Sequence, residues 1–129
     1  MAAGSYRDLT VWQDAMALTV SVYACTSRFP AEERYGLAQQ MRRAAVSIPS
    51  NVAEGYGRRT ARQRYHFLEN ALGSAFELET QSELSIRLGF VDEESGSELI
   101  ESVRTIGRRL NALMRYVRKE AEQESKRFT

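Results

Sequence analysis

The sequence has only one cysteine and two prolines in 129 residues, and it has no long apolar run. The lone Cys25 excludes an internal disulfide and is typical of a protein from a reducing compartment. The most apolar stretch, residues 15–25, is interrupted by Thr19 and Ser21, so we expect neither a signal peptide nor a membrane-spanning helix. Together these absences predict a cytoplasmic protein.

Net charge is also small. Eighteen Lys and Arg residues against seventeen Asp and Glu residues give a formal charge of +1. The protein as a whole therefore has no strong field that would draw it to nucleic acid or to a membrane. Any such binding must depend on local groups of charged side chains.

Signatures of enzymes and metal proteins are missing as well. Residues 55–60 (GYGRRT) begin like a dinucleotide-binding fingerprint, but Thr60 replaces the third glycine and no strand precedes it. His66 and Glu69 lie one turn apart, yet di-iron bundles need two histidines and the opposite order. No serine or cysteine has the context of an activated nucleophile. We expect no enzymatic activity, no cofactor and no metal.

What the sequence does contain is helical periodicity. Apolar residues recur at spacings of three and four in four segments, at about residues 8–28, 32–56, 60–88 and 92–119. Thr60 and Asp92 are suitable N-caps, and Gly89 is a suitable helix end. Pro49 predicts a kink in the second segment, where a serine hydroxyl or water would meet the backbone carbonyl that the proline leaves without an amide partner.

Short connections and the lack of strand alternation predict an all-α fold, an up-down-up-down four-helix bundle with a kinked second helix. We expect a single domain at residues 5–119. Residues 120–129 are charged and lack partners in the apolar seam of the fourth helix, so we expect a frayed tail there.

A polar stripe runs beside the apolar side of the second helix, where small residues would let another helix approach closely. We interpret this stripe, together with an aromatic anchor near the start of the first helix, as a surface for self-association. The predicted oligomer interface comprises Gln40, Arg43, Ser47, Asn51, Glu54 and Trp12. The alternative is the outer face of an ordinary bundle helix.

Arginines crowd the junction of the second and third helices, beside Tyr56 and Tyr65, and a further basic stripe follows the fourth helix. Guanidinium groups next to aromatic rings are typical of nucleic-acid contacts. The predicted contact residues are Arg58, Arg59, Arg62 and Arg64 at the junction, and Arg104, Arg108 and Arg115 on the fourth helix. A solvated charged face would explain the same pattern.

Several stretches also resemble a known family. They are residues 6–13 (YRDLTVWQ), the Phe29–Pro30 pair with residues 33–37, and above all residues 40–55 (QMRRAAVSIPSNVAEG). These stretches resemble the bacterial four-helix-bundle family called 23S rRNA intervening-sequence protein. The resemblance implies a four-helix fold and a homo-oligomer of five subunits, and it implies no activity and no catalytic or ligand residue.

A related family, the accessory variability determinants of diversity-generating retroelements, looks similar and forms a strongly basic barrel that binds nucleic acid and a reverse transcriptase. The near-neutral charge of this chain departs from that pattern. The sequence thus predicts a non-enzymatic homo-oligomer that presents arginine patches to RNA or DNA. The alternative is a protein-binding scaffold whose arginines are ordinary surface.

Overall fold

Residues 5–127, described by a computed structural model, form α-helices and short 3-10 helices with no strand among them. The α-helices are α1 (Thr10–Thr26), α2 (Leu37–Tyr56), α3 (Ala61–Arg87) and α4 (Glu93–Arg127). Two 3-10 helices, Tyr6–Asp8 and Ala31–Glu33, precede α1 and α2. The predicted all-α four-helix bundle is confirmed, although α1 and α2 begin later than their apolar patterns suggest.

Each helix packs against the next in chain order, and α1 closes the bundle against α4. Within the described chain no Cα atom of α1 lies within 8 Å of one in α3, and none of α2 lies within 8 Å of one in α4, so these helices are diagonal to each other. The α1–α2 side of the bundle therefore lies opposite its α3–α4 side. The largest fully buried side chains between the helices are Met41, Ile48, Leu68, Leu78, Ile106 and Leu110.

Helix boundaries follow from local hydrogen bonds. The Thr60 hydroxyl accepts a bond of 3.1 Å from the amide of Gln63, as the predicted N-cap requires. Asp92 accepts a bond of 2.7 Å from the amide of Ser95, and bonds to Ser95 are the main reason why the pKa of the Asp92 carboxyl is lowered. Gly89, with φ of 77°, ends α3 in the left-handed region that glycine adopts without strain.

Helix α2 continues through Pro49, and the neighbouring helix supplies a donor that the proline lacks. Pro49 has no amide hydrogen, so the carbonyl of Ala45 loses its partner four residues on. The Thr19 hydroxyl on α1 lies 3.1 Å from that carbonyl oxygen, and 2.8 Å from the carbonyl of Ala15. The expectation that Ser47 or Ser50 would meet this carbonyl is wrong, because the donor comes across the α1–α2 contact.

Replacing Thr19 by valine should therefore destabilise the fold. Ala45 is fully buried, so its carbonyl would lose a donor with no water to replace it. We expect the free energy of unfolding to fall by about 1 to 3 kcal/mol, measured by denaturant titration. In a Pro49→Ala background residue 49 regains its amide hydrogen. Replacing Thr19 by valine should then lower the free energy of unfolding by a smaller amount. An equal cost in both backgrounds would contradict this role of Thr19.

The end of α4 also differs from expectation. The helix does not end near Lys119 but continues to Arg127, and residues 128–129 of the predicted tail lie outside the described part of the chain. Both carboxylate oxygens of Glu124 accept from the amide of Ala61, each at 3.0 Å. Because that amide lies in the first turn of α3, it has no partner within its own helix. Contacts across the bundle thus give the last turns of α4 partners that an apolar pattern does not reveal.

Candidate nucleic-acid interface and self-association surface

Four of the predicted contact arginines lie in the turn between α2 and α3 or in the first turns of α3. Helix α2 ends as the amide of Gly57 donates to the carbonyls of Ala53 and Glu54, and α3 begins at the Thr60 cap. Arg58 and Arg59 therefore lie in the turn, while Arg62 lies in the first turn of α3. All three are exposed at one end of the bundle.

Two of these arginines are held by other side chains. Arg58 donates to Glu54 at 2.9 Å, and its guanidinium lies 4.6 Å from the ring centre of Phe67. Arg64 lies 4.8 Å from the ring centre of Tyr56 and 3.6 Å from a carboxylate oxygen of Glu120.

The Arg64 side chain is only 21% exposed, and its Nε is buried without a partner in the described chain. The neighbouring Tyr56 is itself partly buried, and this burial raises the pKa of its hydroxyl. Arg64 therefore serves mainly to pack α3 against α2 and α4.

Arg59 and Arg62 differ from their neighbours. Both are exposed, and no carboxylate of residues 5–127 lies within 4.0 Å of either guanidinium. Their hydrogen-bond donors are free to meet an external anion. A guanidinium binds phosphate in a two-pronged geometry, so these two arginines are the best placed of the four for a nucleic-acid backbone.

An open cleft of about 720 Å³ lies beside the turn. Its lining combines basic, polar and aromatic side chains: Arg58, Thr60, Arg62, Gln63, Tyr65, His66, Phe67 and Glu69. Arg118 on α4 donates to the Tyr65 hydroxyl at 2.6 Å, and this bond is the largest cause of a raised pKa for Arg118. Arg118 was not among the contact residues predicted from the sequence, although its position one turn after Arg115 places it on the same side of α4.

The basic stripe of α4 is only partly available. Arg104 donates to Glu79 at 3.0 Å, and Arg108 donates to Glu101 at 3.4 Å. Arg115 is exposed and has no carboxylate within 4.0 Å among residues 5–127. The predicted stripe thus divides into two paired arginines and one unpaired arginine, which lies near the end of the bundle that holds the α2–α3 turn.

The two ends of the bundle differ in charge. Residues 58–64 contain four arginines and no acidic residue. Residues 92–101, at the other end of α3, contain five acidic residues and no lysine or arginine. A net charge of +1 therefore conceals an arginine-rich end, which we call the basic end: the α2–α3 turn with Arg115 and Arg118, beside Glu54, Glu120 and Glu124. At the opposite end, which we call the acidic end, residues 92–101 lie near Arg28.

The polar stripe of α2 has partners within the chain. The hydroxyls of Ser47 and Ser74 lie 2.8 Å apart across the α2–α3 contact. Asn51 donates to the carbonyl and hydroxyl oxygens of Ser47 at 2.8 and 2.9 Å. These half-buried side chains help to join α2 to α3. The sequence pattern did not show whether the small residues of α2 meet a helix of the same chain or a second copy.

The remaining residues of the predicted oligomer interface are more accessible. Gln40, Arg43 and Glu54 are exposed, and Glu54 pairs with Arg58 as described above. Trp12 is half-buried and packs edge-on against Tyr6, with ring centres 5.4 Å apart. Contact between these residues and a second copy of the chain stays a prediction.

Metal-ligating side chains are dispersed in the part of the chain that the structure describes. No group of three or more His, Cys, Asp or Glu side chains in residues 5–127 is placed to hold a metal ion. Burial raises the pKa of the Cys25 thiol, which disfavours the reactive thiolate. None of the helices in residues 5–127 combines the length and the hydropathy that a transmembrane span requires.

Comparisons with known proteins agree with the fold. A crystal structure of a protein of unknown function from the S23 ribosomal protein family of Bacteroides thetaiotaomicron VPI-5482 is similar, with a TM-score of 0.74 and 20% sequence identity. The match covers 81% of this chain and 98% of that chain. No curated protein matches. The model of the 23S rRNA-intervening sequence protein family matches residues 7–112, so the chain belongs to that family.

Proposed function

We propose that the chain is a non-enzymatic homo-oligomer of five subunits that binds RNA or DNA at its basic end. The observation that carries the nucleic-acid part is the set of three exposed arginines, Arg59, Arg62 and Arg115, with no carboxylate within 4.0 Å in residues 5–127. Unpaired guanidinium groups bind phosphate without first breaking an ion pair. The neighbouring cleft adds Tyr65 and Phe67, two half-buried rings that already lie against Arg118 and Arg58, so an unstacked base would meet only their remaining accessible surface.

The acidic end supports the same proposal. Nucleic acid would be repelled by residues 92–101 and attracted by residues 58–64, so the bundle would approach a phosphate backbone in one orientation. In a cyclic oligomer with bundle axes along the ring axis, all basic ends would share one face. Several weak contacts to one nucleic acid would then act together.

Self-assembly is supported by the resemblance described above and by exposed side chains on α2. Gln40 and Arg43 lie on its outer surface and are available to a second copy, and Glu54 is exposed there while paired with Arg58. Light scattering tests this part directly. A mass of several subunits is the expected result, and the monomer mass of 14.7 kDa at all concentrations would contradict assembly.

The nucleic-acid part is tested by replacing Arg59 and Arg62 together by glutamine. Each lost phosphate contact should reduce the slope of log affinity against log salt by about 0.7 to 0.9 per subunit engaged. We expect affinity for a structured RNA or a DNA duplex to fall on the order of tenfold to a hundredfold at low salt. Fluorescence anisotropy across a salt series measures both quantities.

The matched control replaces Arg28 and Arg34 by glutamine. This pair changes the net charge equally but lies near the acidic end, so it should leave the salt slope unchanged. Equal losses in both double variants would indicate only a general charge effect. No binding by the wild-type protein at low salt would remove the nucleic-acid proposal.

The near-neutral net charge favours one alternative, a protein-binding scaffold with no nucleic-acid role. In that case the oligomer would persist, neither nucleic acid would bind, and the arginines of the basic end would be ordinary surface. The salt series and the light scattering together separate the two functions.

A further inference from the structure

Two exposed aromatic side chains lie at the basic end. Tyr116 on α4 is 64% exposed, and no hydrogen bond or ring contact within residues 5–127 holds it. His66 on α3 is exposed in the cleft beside the turn, where its ring meets Phe67 edge-on with ring centres 5.5 Å apart. Both rings are therefore accessible to a ligand.

The two rings reach the basic end from different helices. Burial is the main reason why the pKa of the Tyr56 hydroxyl is raised, and Tyr116 is among the groups that also act on that hydroxyl. Because Tyr56 is the last residue of α2, Tyr116 lies near the end of α2. His66 lies in the second turn of α3, just after the arginine-rich turn.

Each ring has an unpaired cation one helical turn away. Arg62 precedes His66 by four residues, and Lys119 follows Tyr116 by three. Residues at these spacings are neighbours on a helix surface, with Cβ atoms about 5 to 6 Å apart. Arg62, Lys119 and Arg115 have no carboxylate within 4.0 Å among residues 5–127. A single turn of helix thus presents an unpaired positive charge beside an accessible ring.

The carboxylates near the two rings face other arginines. Glu120, one turn after the exposed tyrosine, lies 3.6 Å from Arg64. Glu69, one turn after the exposed histidine, lies close enough to Arg118 to act on its charge. Neither carboxylate forms an ion pair with the cation beside its ring.

We propose that the basic end binds unpaired nucleotides, with bases stacking on Tyr116 and His66, so that its ligand is single-stranded RNA or DNA. This inference rests on the proposed nucleic-acid binding and names the class of ligand. A phosphate held by Arg62 or Lys119 would bring a base to the ring one turn away. In a duplex the bases are paired and stacked on each other, so a duplex would offer this surface its phosphates without a base face.

A variant that lacks both rings, Tyr116→Ala with His66→Ala, tests this inference. The ligands are a labelled single strand without self-complementarity and the same strand annealed to its complement, compared by fluorescence anisotropy at low salt. The wild type should bind the single strand more tightly, and loss of both rings should reduce single-strand affinity by about tenfold or more. Duplex affinity and the slope of log affinity against log salt should not change, because the phosphate contacts remain.

Two further variants serve as controls. Tyr116→Phe with His66→Phe keeps an aromatic ring at both positions and should keep the preference for the single strand. Tyr35 is 81% exposed but lies just before α2, at the other end of that helix from the turn, so Tyr35→Ala should leave both affinities unchanged. Circular dichroism checks the helix content of the double alanine variant. If that variant does not fold, the two single alanine variants take its place.

Three results would overturn the inference. They are a wild type that binds the duplex at least as tightly as the single strand, a variant without rings that keeps the wild-type affinity for the single strand, and equal losses for both ligands. In each case nucleic-acid binding through phosphate contacts would stand. Absence of wild-type binding to both ligands would instead overturn the proposed nucleic-acid function, and this inference with it.

Discussion

Replacing Leu110 by alanine should lower the free energy of unfolding by about 2 to 5 kcal/mol. Leu110 is fully buried on α4, where it contributes to the core between the helices. The replacement removes apolar contacts and leaves a cavity that the tightly packed bundle cannot fully close. Denaturant unfolding followed by circular dichroism, at one fixed protein concentration, measures the change.

Leu88→Ala is the matched control. Leu88 is 57% exposed just after α3, so the same chemical change should stay within about 0.5 kcal/mol of the wild type. Equal losses for the two variants would show that Leu110 is not part of a packed core.

Gly96→Val should be the second strongly destabilising change, by about 2 to 3 kcal/mol. Gly96 is buried in the first turns of α4, where a Cβ atom would lie 2.6 Å from Cδ1 of Ile86 and 3.3 Å from Cγ1 of Val91. Two further γ carbons would increase the crowding. Thermal unfolding by calorimetry should show a lower midpoint than the wild type.

A second glycine provides the comparison. A Cβ atom at Gly73 would meet nothing within 4 Å, so Gly73→Val should be close to neutral. Shortening the crowded neighbour in the Gly96→Val, Ile86→Ala double variant should recover part of the loss, with a coupling of about 0.5 to 3 kcal/mol. Additive costs for the two replacements would exclude this contact as the cause.

Much of the helical framework could be predicted from the chain alone, because its signals are local. Apolar spacing gave the four helices, while Thr60, Asp92 and Gly89 marked ends that their own hydrogen bonds or φ angle confirm. The family match likewise includes the second-helix stretch that carried the resemblance. These features depend on residues within a few positions of each other, so periodicity and capping chemistry are sufficient to locate them.

The candidate site was only partly predictable. The sequence located the arginine-rich turn, but it could not tell which guanidinium groups are already paired. Arg64 packs against Tyr56 and Glu120, and Arg104 pairs with Glu79 on another helix. Such pairs join residues far apart in sequence, and only the docking of the helices decides them.

By itself, the sequence determined an all-α bundle, its helix caps and the near-balance of its charges. Tertiary structure alone decided that Thr19 meets the carbonyl freed by Pro49 and that Glu124 meets the start of α3. It also decided which arginines are already paired with carboxylates of other helices. The physical reason is that each of these features depends on which helix lies beside which, and amphipathic periodicity fixes the inward side of a helix without fixing its neighbour.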